Sequence, residues 1–213
     1  MALKSDLPLS RAPVPAVHRS APRRRKIVHG RVGEASTALG DLESGCELFA
    51  VTNGQFSLID VLEHVLDHAG EAEIDLATWT AADGDLRRAH VFLLSGRVRR
   101  MRLVVDPSFR SRKPEFCEVL VDLFGQNAIR TVPLHGKFAL VRGERQFAIR
   151  SSMNLNPNRR IETVEISEDA ALVGFMRGLV DEIFDRSPDG NFASQSERIN
   201  DGAVSGSSVG LAF

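Results

Sequence analysis

Apolar residues recur along this chain with two different periods, and the switches between them predict its elements. Residues 48–51, Leu-Phe-Ala-Val, form a short apolar run that predicts a buried strand. Asn53-Gly54 behind it is a turn signal. From 57 to 68 the spacing becomes helical, with Leu58, Val61, Leu62, Val65 and Leu66 on one face. Strand patterns over 74–80 and 99–105 then alternate with helical ones over 85–94 and 113–124. Pro107 and Gly125 close the later strand and the later helix. Residues 128–132 lead into a hairpin with arms at 137–141 and 146–149. A strand over 162–166 and a helix over 168–184 complete the order. Strands alternating with crossover-length helices predict an α/β fold. The sheet is expected to be mixed, antiparallel in its later part, with helices on both faces.

The flanks read differently. Residues 1–44 are expected to be a basic flexible tail and an irregular lead-in, 45–186 the ordered domain, and 187–213 a flexible tail rich in Ser, Gly, Asn and Asp. The first tail ends in Arg23-Arg24-Arg25-Lys26, which suits either phosphate contacts or a solvated leader. A length of 213 residues and 43% apolar composition allow one domain with a real core. A net charge of −1 gives no global attraction to polyanions. Cys46 and Cys117 lack metal or redox spacing and read as small buried residues in a reducing compartment. No apolar run approaches membrane-spanning length and the start carries no signal-peptide pattern, so a soluble, cytoplasmic protein is expected.

Candidate chemistry gathers between 135 and 162. His135 and Lys137 stand two residues apart on an expected strand, so alternation sends them to one side. Ser151-Ser152-Met153-Asn154 follows the second hairpin arm, and Glu162 follows that turn. An imidazole, an ammonium and an amide on one sheet edge can grip a phosphate oxyanion and attack it, which points to phosphodiester chemistry. Ser152 and Asn154 serve equally well as turn residues. Arg97, Arg99, Arg100 and Arg102, with Arg110, Arg112 and Lys113 after them, form a basic segment. It suits either a nucleic-acid backbone or a charged sheet edge. Trp79 could stack on a base or simply pack. Neither a Gly-rich phosphate loop nor a metal-ligand cluster is recognisable, and no cofactor is expected.

The pattern His135-x-Lys137, then Ser151-Ser152-x-Asn154, resembles the His-Lys-Asp signature of the phospholipase D superfamily, which a Gly-Ser-x-Asn follows. More loosely, the order of elements resembles one half of that fold over residues 45–186. The resemblance implies a metal-independent phosphodiesterase in which one His135 forms a phosphohistidine and a second protonates the leaving oxygen. Lys137 and Asn154 would bind the phosphate, with Ser152 nearby, and Glu162 would orient a histidine. Two such motifs face each other in the family and this chain has one, so a homodimer with a composite site is implied. Arg142 replaces the family's Asp, Ser151 its Gly, and the hairpin is about two residues longer. Arg142, Arg150, Arg100 and Arg102 are candidate phosphate contacts. Nucleic acid is the expected substrate; the alternative is a degenerate relative that binds DNA or RNA without cleaving it. A phospholipid substrate is a third reading.

Overall fold

The computed structural model of the chain describes residues 25–29, 34–112, 114–157 and 159–186. Its strands are β1 (Arg25–His29), β2 (Glu47–Thr52), β3 (Ala72–Thr78), β4 (Val98–Val105), β5 (Ile129–Thr131), β6 (Lys137–Arg142), β7 (Gln146–Ser151) and β8 (Glu162–Glu168). Helices are α1 (Ala35–Leu39), α2 (Leu58–Ala69), α3 (Asp83–Leu94), α4 (Ser108–Arg112), α5 (Pro114–Phe124) and α6 (Ala170–Arg186). The strands form one mixed sheet in the order β1-β2-β8-β7-β6-β3-β4-β5. β3, β4 and β5 run parallel, as do β1 and β2. Between them β8, β7 and β6 pair antiparallel with one another, and β8 and β6 also pair antiparallel with β2 and β3. This order brings the carboxyl ends of β2, β3, β4 and β7 to the same edge as the amino ends of β6 and β8.

Alternation along the strands separates two apolar clusters. Ala139 and Val141 of β6 join Ile74, Leu76, Leu103 and Ile149 in a large core with α2, α3 and α5. Phe138 and Leu140 of the same strand join Ala77, Val104 and Ala148 in a smaller cluster with Val173, Val180 and Ile183 of α6. Helix α2 starts where Ser57 donates from both N and Oγ to Asp60 Oδ2, at 2.7 and 2.8 Å. Its apolar stripe is fully covered, as the helical spacing predicts. The β6–β7 hairpin docks on the end of this helix, with Glu144 N donating to Ala69 O at 2.8 Å. Gly143 permits that approach, since a Cβ there would lie 2.1 Å from Ala69 O.

A chain of ions crosses the sheet on the α6 side. Asp75 on β3 is 1% exposed. It accepts two hydrogen bonds from Arg102, at 2.6 and 3.0 Å, and one from Arg142 at 3.2 Å. Arg102 also reaches Asp181 of α6 at 2.7 Å. Glu73 takes Arg100 and Arg142, each at 3.1 Å. Burial raises the Glu73 carboxyl, but the guanidinium groups of Arg100 and Arg142 more than offset it and hold the group low.

Several elements differ from the sequence expectation. β1 and α1 lie inside the segment read as tail and lead-in. β1 holds only two apolar residues, Ile27 and Val28, and is a strand because it adds to β2. α4 was not expected; Asp106 nucleates it by accepting from Ser108 N at 2.9 Å. The basic tail before Arg25 and the tail after Arg186 lie outside the described residues. Cys46 and Cys117 are free thiols, and burial pushes Cys117 up to about 11. No helix among the described residues is long and apolar enough to cross a membrane.

Two stability experiments follow from this packing. Asp75→Ala strands two guanidinium groups in a low-dielectric site and should cost about 3–5 kcal/mol. Urea unfolding measures this, and a loss under 1 kcal/mol would contradict the assigned role. His64 is buried and donates from Nε2 to Gly40 O at 2.9 Å. Burial lowers its pKa from 6.5, against the raising effect of that hydrogen bond. The unfolded chain therefore takes up the proton first, so this stabilisation is complete above about pH 6.5 and is lost as pH falls through the lower folded value. Stability measured at pH 7.5 and 5 should show a smaller drop for His64→Gln than for the wild type.

Candidate active site

The sheet edge described above holds the residues with the strongest claim to chemistry. Lys137 opens β6, and His135 lies in the loop before it rather than on a strand. Their proximity therefore owes nothing to the pleat. The loop is tied to the carboxyl end of β4: Val132 N donates to Val105 O at 3.1 Å and Leu134 N to Asp106 Oδ2 at 3.0 Å. From this tether the exposed His135 ring comes within reach of Lys137, with Nζ 3.5 Å from Nε2. On its other side stands Trp79, one residue beyond β3, with ring centroids 5.9 Å apart and planes at 62°. The imidazole thus packs edge-to-face against the indole.

The serine turn is built just as firmly. Ser151 faces Lys137 across the β6–β7 ladder. Its hydroxyl donates to Thr163 O at 2.8 Å and accepts from Met153 N at 2.9 Å. Ser152 accepts from Thr163 N at 2.9 Å and donates its hydroxyl proton to the Glu162 carboxylate. Met153 and Leu155 are buried and anchor the turn. Leu155 N donates to both Thr80 O and Thr78 Oγ1, each at 3.2 Å, and Ala82 N donates to Leu155 O at 2.8 Å. The turn is thus latched onto the end of β3. Asn154 sits between the two anchors, half-buried, with its Oδ1 shielded and without a hydrogen-bond partner. A shielded acceptor of this kind costs about 1–3 kcal/mol unless water or a bound group meets it.

His135, Lys137, Ser152, Asn154 and Glu162 therefore gather along one edge. With strands about 4.8 Å apart, Lys137 and the start of β8 are roughly 10 Å from each other. The arginines named with them lie elsewhere. Arg142 ends β6, five residues from Lys137 and so about 17 Å away along an extended strand. Its side chain is only 10% exposed and is held by Glu73 and Asp75. Arg142, a candidate phosphate contact in the sequence, is a buried ion-pair partner, because the register sets it directly across from Glu73. Arg100 and Arg102 belong to the same network. Arg150 precedes Ser151 but faces the other way, and pairs with Glu165 at 2.6 Å.

Two residues that position the site had no place in the sequence reading. Asp106 tethers the His135 loop, and the signal was its position immediately after a strand in Asp-Pro-Ser, an Asx-turn sequence. Thr78 latches the serine turn, and nothing in the sequence pairs it with Leu155, 77 residues away.

No protein-family model matches the chain, and no curated protein matches it. Among solved structures it is similar to NucT from Helicobacter pylori, with a TM-score of 0.48 and 11% identity over 67% of this chain and 99% of that one. It is also similar to TrmBL2, an archaeal chromatin protein whose structure is described as showing a novel mode of DNA binding. There the TM-score is 0.42 and the identity 12%, over 66% of this chain and 54% of that one.

The latch is testable by itself. Thr78→Val keeps the shape and removes the hydroxyl, so it should cost about 0.5–1.5 kcal/mol. Amide exchange at Leu155 should accelerate by a similar free energy or more, whereas an unchanged rate would show that Thr80 O alone holds the turn.

Proposed function

We propose that this chain is a metal-independent phosphodiesterase, a phospholipase D-like half fold that acts on nucleic acid as a homodimer. The observation that carries this reading is the His135–Lys137 pair, 3.5 Å apart at an open sheet edge, beside a latched Ser-Ser-Met-Asn turn. In the proposed reaction one imidazole attacks phosphorus, and the P–O ester bond breaks as a P–N bond forms. The partner chain's imidazolium gives its proton to the leaving oxygen and becomes neutral. That imidazole then takes a proton from water, whose oxygen attacks phosphorus and breaks the P–N bond. Lys137 offsets charge on the non-bridging oxygens, and Asn154 donates an amide hydrogen to one of them. Glu162, whose carboxylate accepts from Ser152, is the acidic group that orients a histidine in this proposal.

The homodimer belongs to the same proposal, because the sequence contains one His-x-Lys pair and the reaction uses two imidazoles. A second reading, binding of DNA or RNA without cleavage, is favoured by one observation. The position of the family's Asp carries Arg142, which is spent in an ion network away from the edge.

Hydrolysis in EDTA of plasmid, single-stranded DNA and a chromogenic diester tests the proposal, with oligomeric state followed by light scattering. The wild type should cleave at least one substrate as a dimer. His135→Ala should remain dimeric and lose activity by about 10²–10⁴-fold or more. A folded dimer that binds DNA and cleaves nothing would leave only the second reading.

A further inference from the structure

Proteins that hold a nucleic-acid backbone ordinarily do so with a surplus of Arg and Lys. Four arginines of the basic segment, Arg97, Arg99, Arg100 and Arg102, supply no such surplus. Arg97 pairs with Asp67 at 2.5 Å, Arg99 with Glu71 at 3.2 Å, Arg100 with Glu73 at 3.1 Å and Arg102 with Asp75 at 2.6 Å. Arg150, next to the serine turn, is matched by Glu165. These guanidinium groups are neutralised within the molecule, so this surface offers little to a polyanion. Beside His135 the structure instead holds a partly exposed indole and one ammonium, Trp79 and Lys137.

We propose that the site selects unpaired nucleotides, recognising a base by stacking on Trp79 and one or two phosphates by Lys137. The location of the reacting phosphate rests on the phosphodiesterase reading above. Trp79 leaves β3 at the edge where Lys137 enters β6, and its ring is in contact with that of His135. An indole in that place reaches the base of the nucleotide whose phosphate meets the imidazole. Duplex bases are stacked and paired, and cannot make the contact without unpairing. Stacking accepts any base, so the selectivity is for strandedness and not for sequence.

Trp79 is the only tryptophan and the chain has no tyrosine, so its fluorescence reports this site alone. The full chain, in EDTA, is titrated with an unpaired thymidine dodecamer, with its duplex, with inorganic polyphosphate and with phosphatidylglycerol vesicles. The dodecamer should quench the indole and bind at least tenfold tighter than the duplex or polyphosphate. Raising salt from 50 to 200 mM should weaken it about three- to sevenfold, the slope of one or two phosphate contacts on a single strand. With a labelled dodecamer followed by anisotropy, Trp79→Phe should keep most of the affinity and Trp79→Ala should lose roughly ten- to a hundredfold. Equal binding of duplex or polyphosphate, a salt loss beyond a hundredfold, quenching by vesicles instead of the dodecamer, or a Trp79→Ala protein that binds like wild type would each overturn the proposal. A base-free chromogenic diester separates the two readings. If it is hydrolysed without dodecamer binding, stacking falls and the phosphodiesterase stands. If the dodecamer quenches but no diester is cleaved, recognition stands and the hydrolase reading falls.

Discussion

A carboxylate buried in the middle of the sheet is the constraint on which the rest of this structure depends. Asp75 is almost wholly removed from water, and burying a charge is tolerable only when counter-charges are fixed around it. Arg102 comes from β4, Arg142 from β6, and Asp181 of α6 holds the far side of Arg102. One group thereby joins three strands and a helix, and a slip of either neighbouring strand would break it. Trp79 lies four residues further along the same chain segment, about 13 Å away. The register that the ion network enforces is the register that presents the indole and Lys137 at the edge.

That edge also explains why a site lies there at all. Strand ends expose backbone groups and loops that packing leaves adjustable, while the strands behind them stay rigid. The loop and the turn that carry the chemistry are held by neighbours outside their own segments. The His135 loop is held through Asp106, with its ring against Trp79, and the serine turn through Thr78, Thr80 and Thr163. Preorganisation comes from long-range tethers on short loops, which suits an electrostatic role for the groups they hold.

The sequence discloses those parts of the fold that depend on local pattern. The stripe Leu58, Val61, Leu62, Val65, Leu66 is α2, and the hairpin arms and closing helix fall within a few residues of their expected places. β1 and α1 escape because neither has a periodic apolar face long enough to register. The cluster of His135, Lys137, Asn154 and Glu162 is legible because the residues lie close together in the chain. The fate of the arginines is not, since it depends on which strands become neighbours. One hint was present: Glu73-x-Asp75 and Arg100-x-Arg102 carry opposite charges at the same two-residue spacing, as adjacent parallel strands would require.

The position of β8 has a consequence for how the chain emerges from a ribosome. β2 is complete by Thr52, yet the strand that covers its inner side spans Glu162–Glu168, more than a hundred residues later. Until then Leu48 and Ala50 belong to an unpaired edge, and the hairpin of β6 and β7 lacks its outer neighbour. Contacts this distant in sequence close slowly, and open edges invite association with other chains. The nascent protein therefore needs its last strand before β2 is safe, and shielding during synthesis matters most over the interval that separates them.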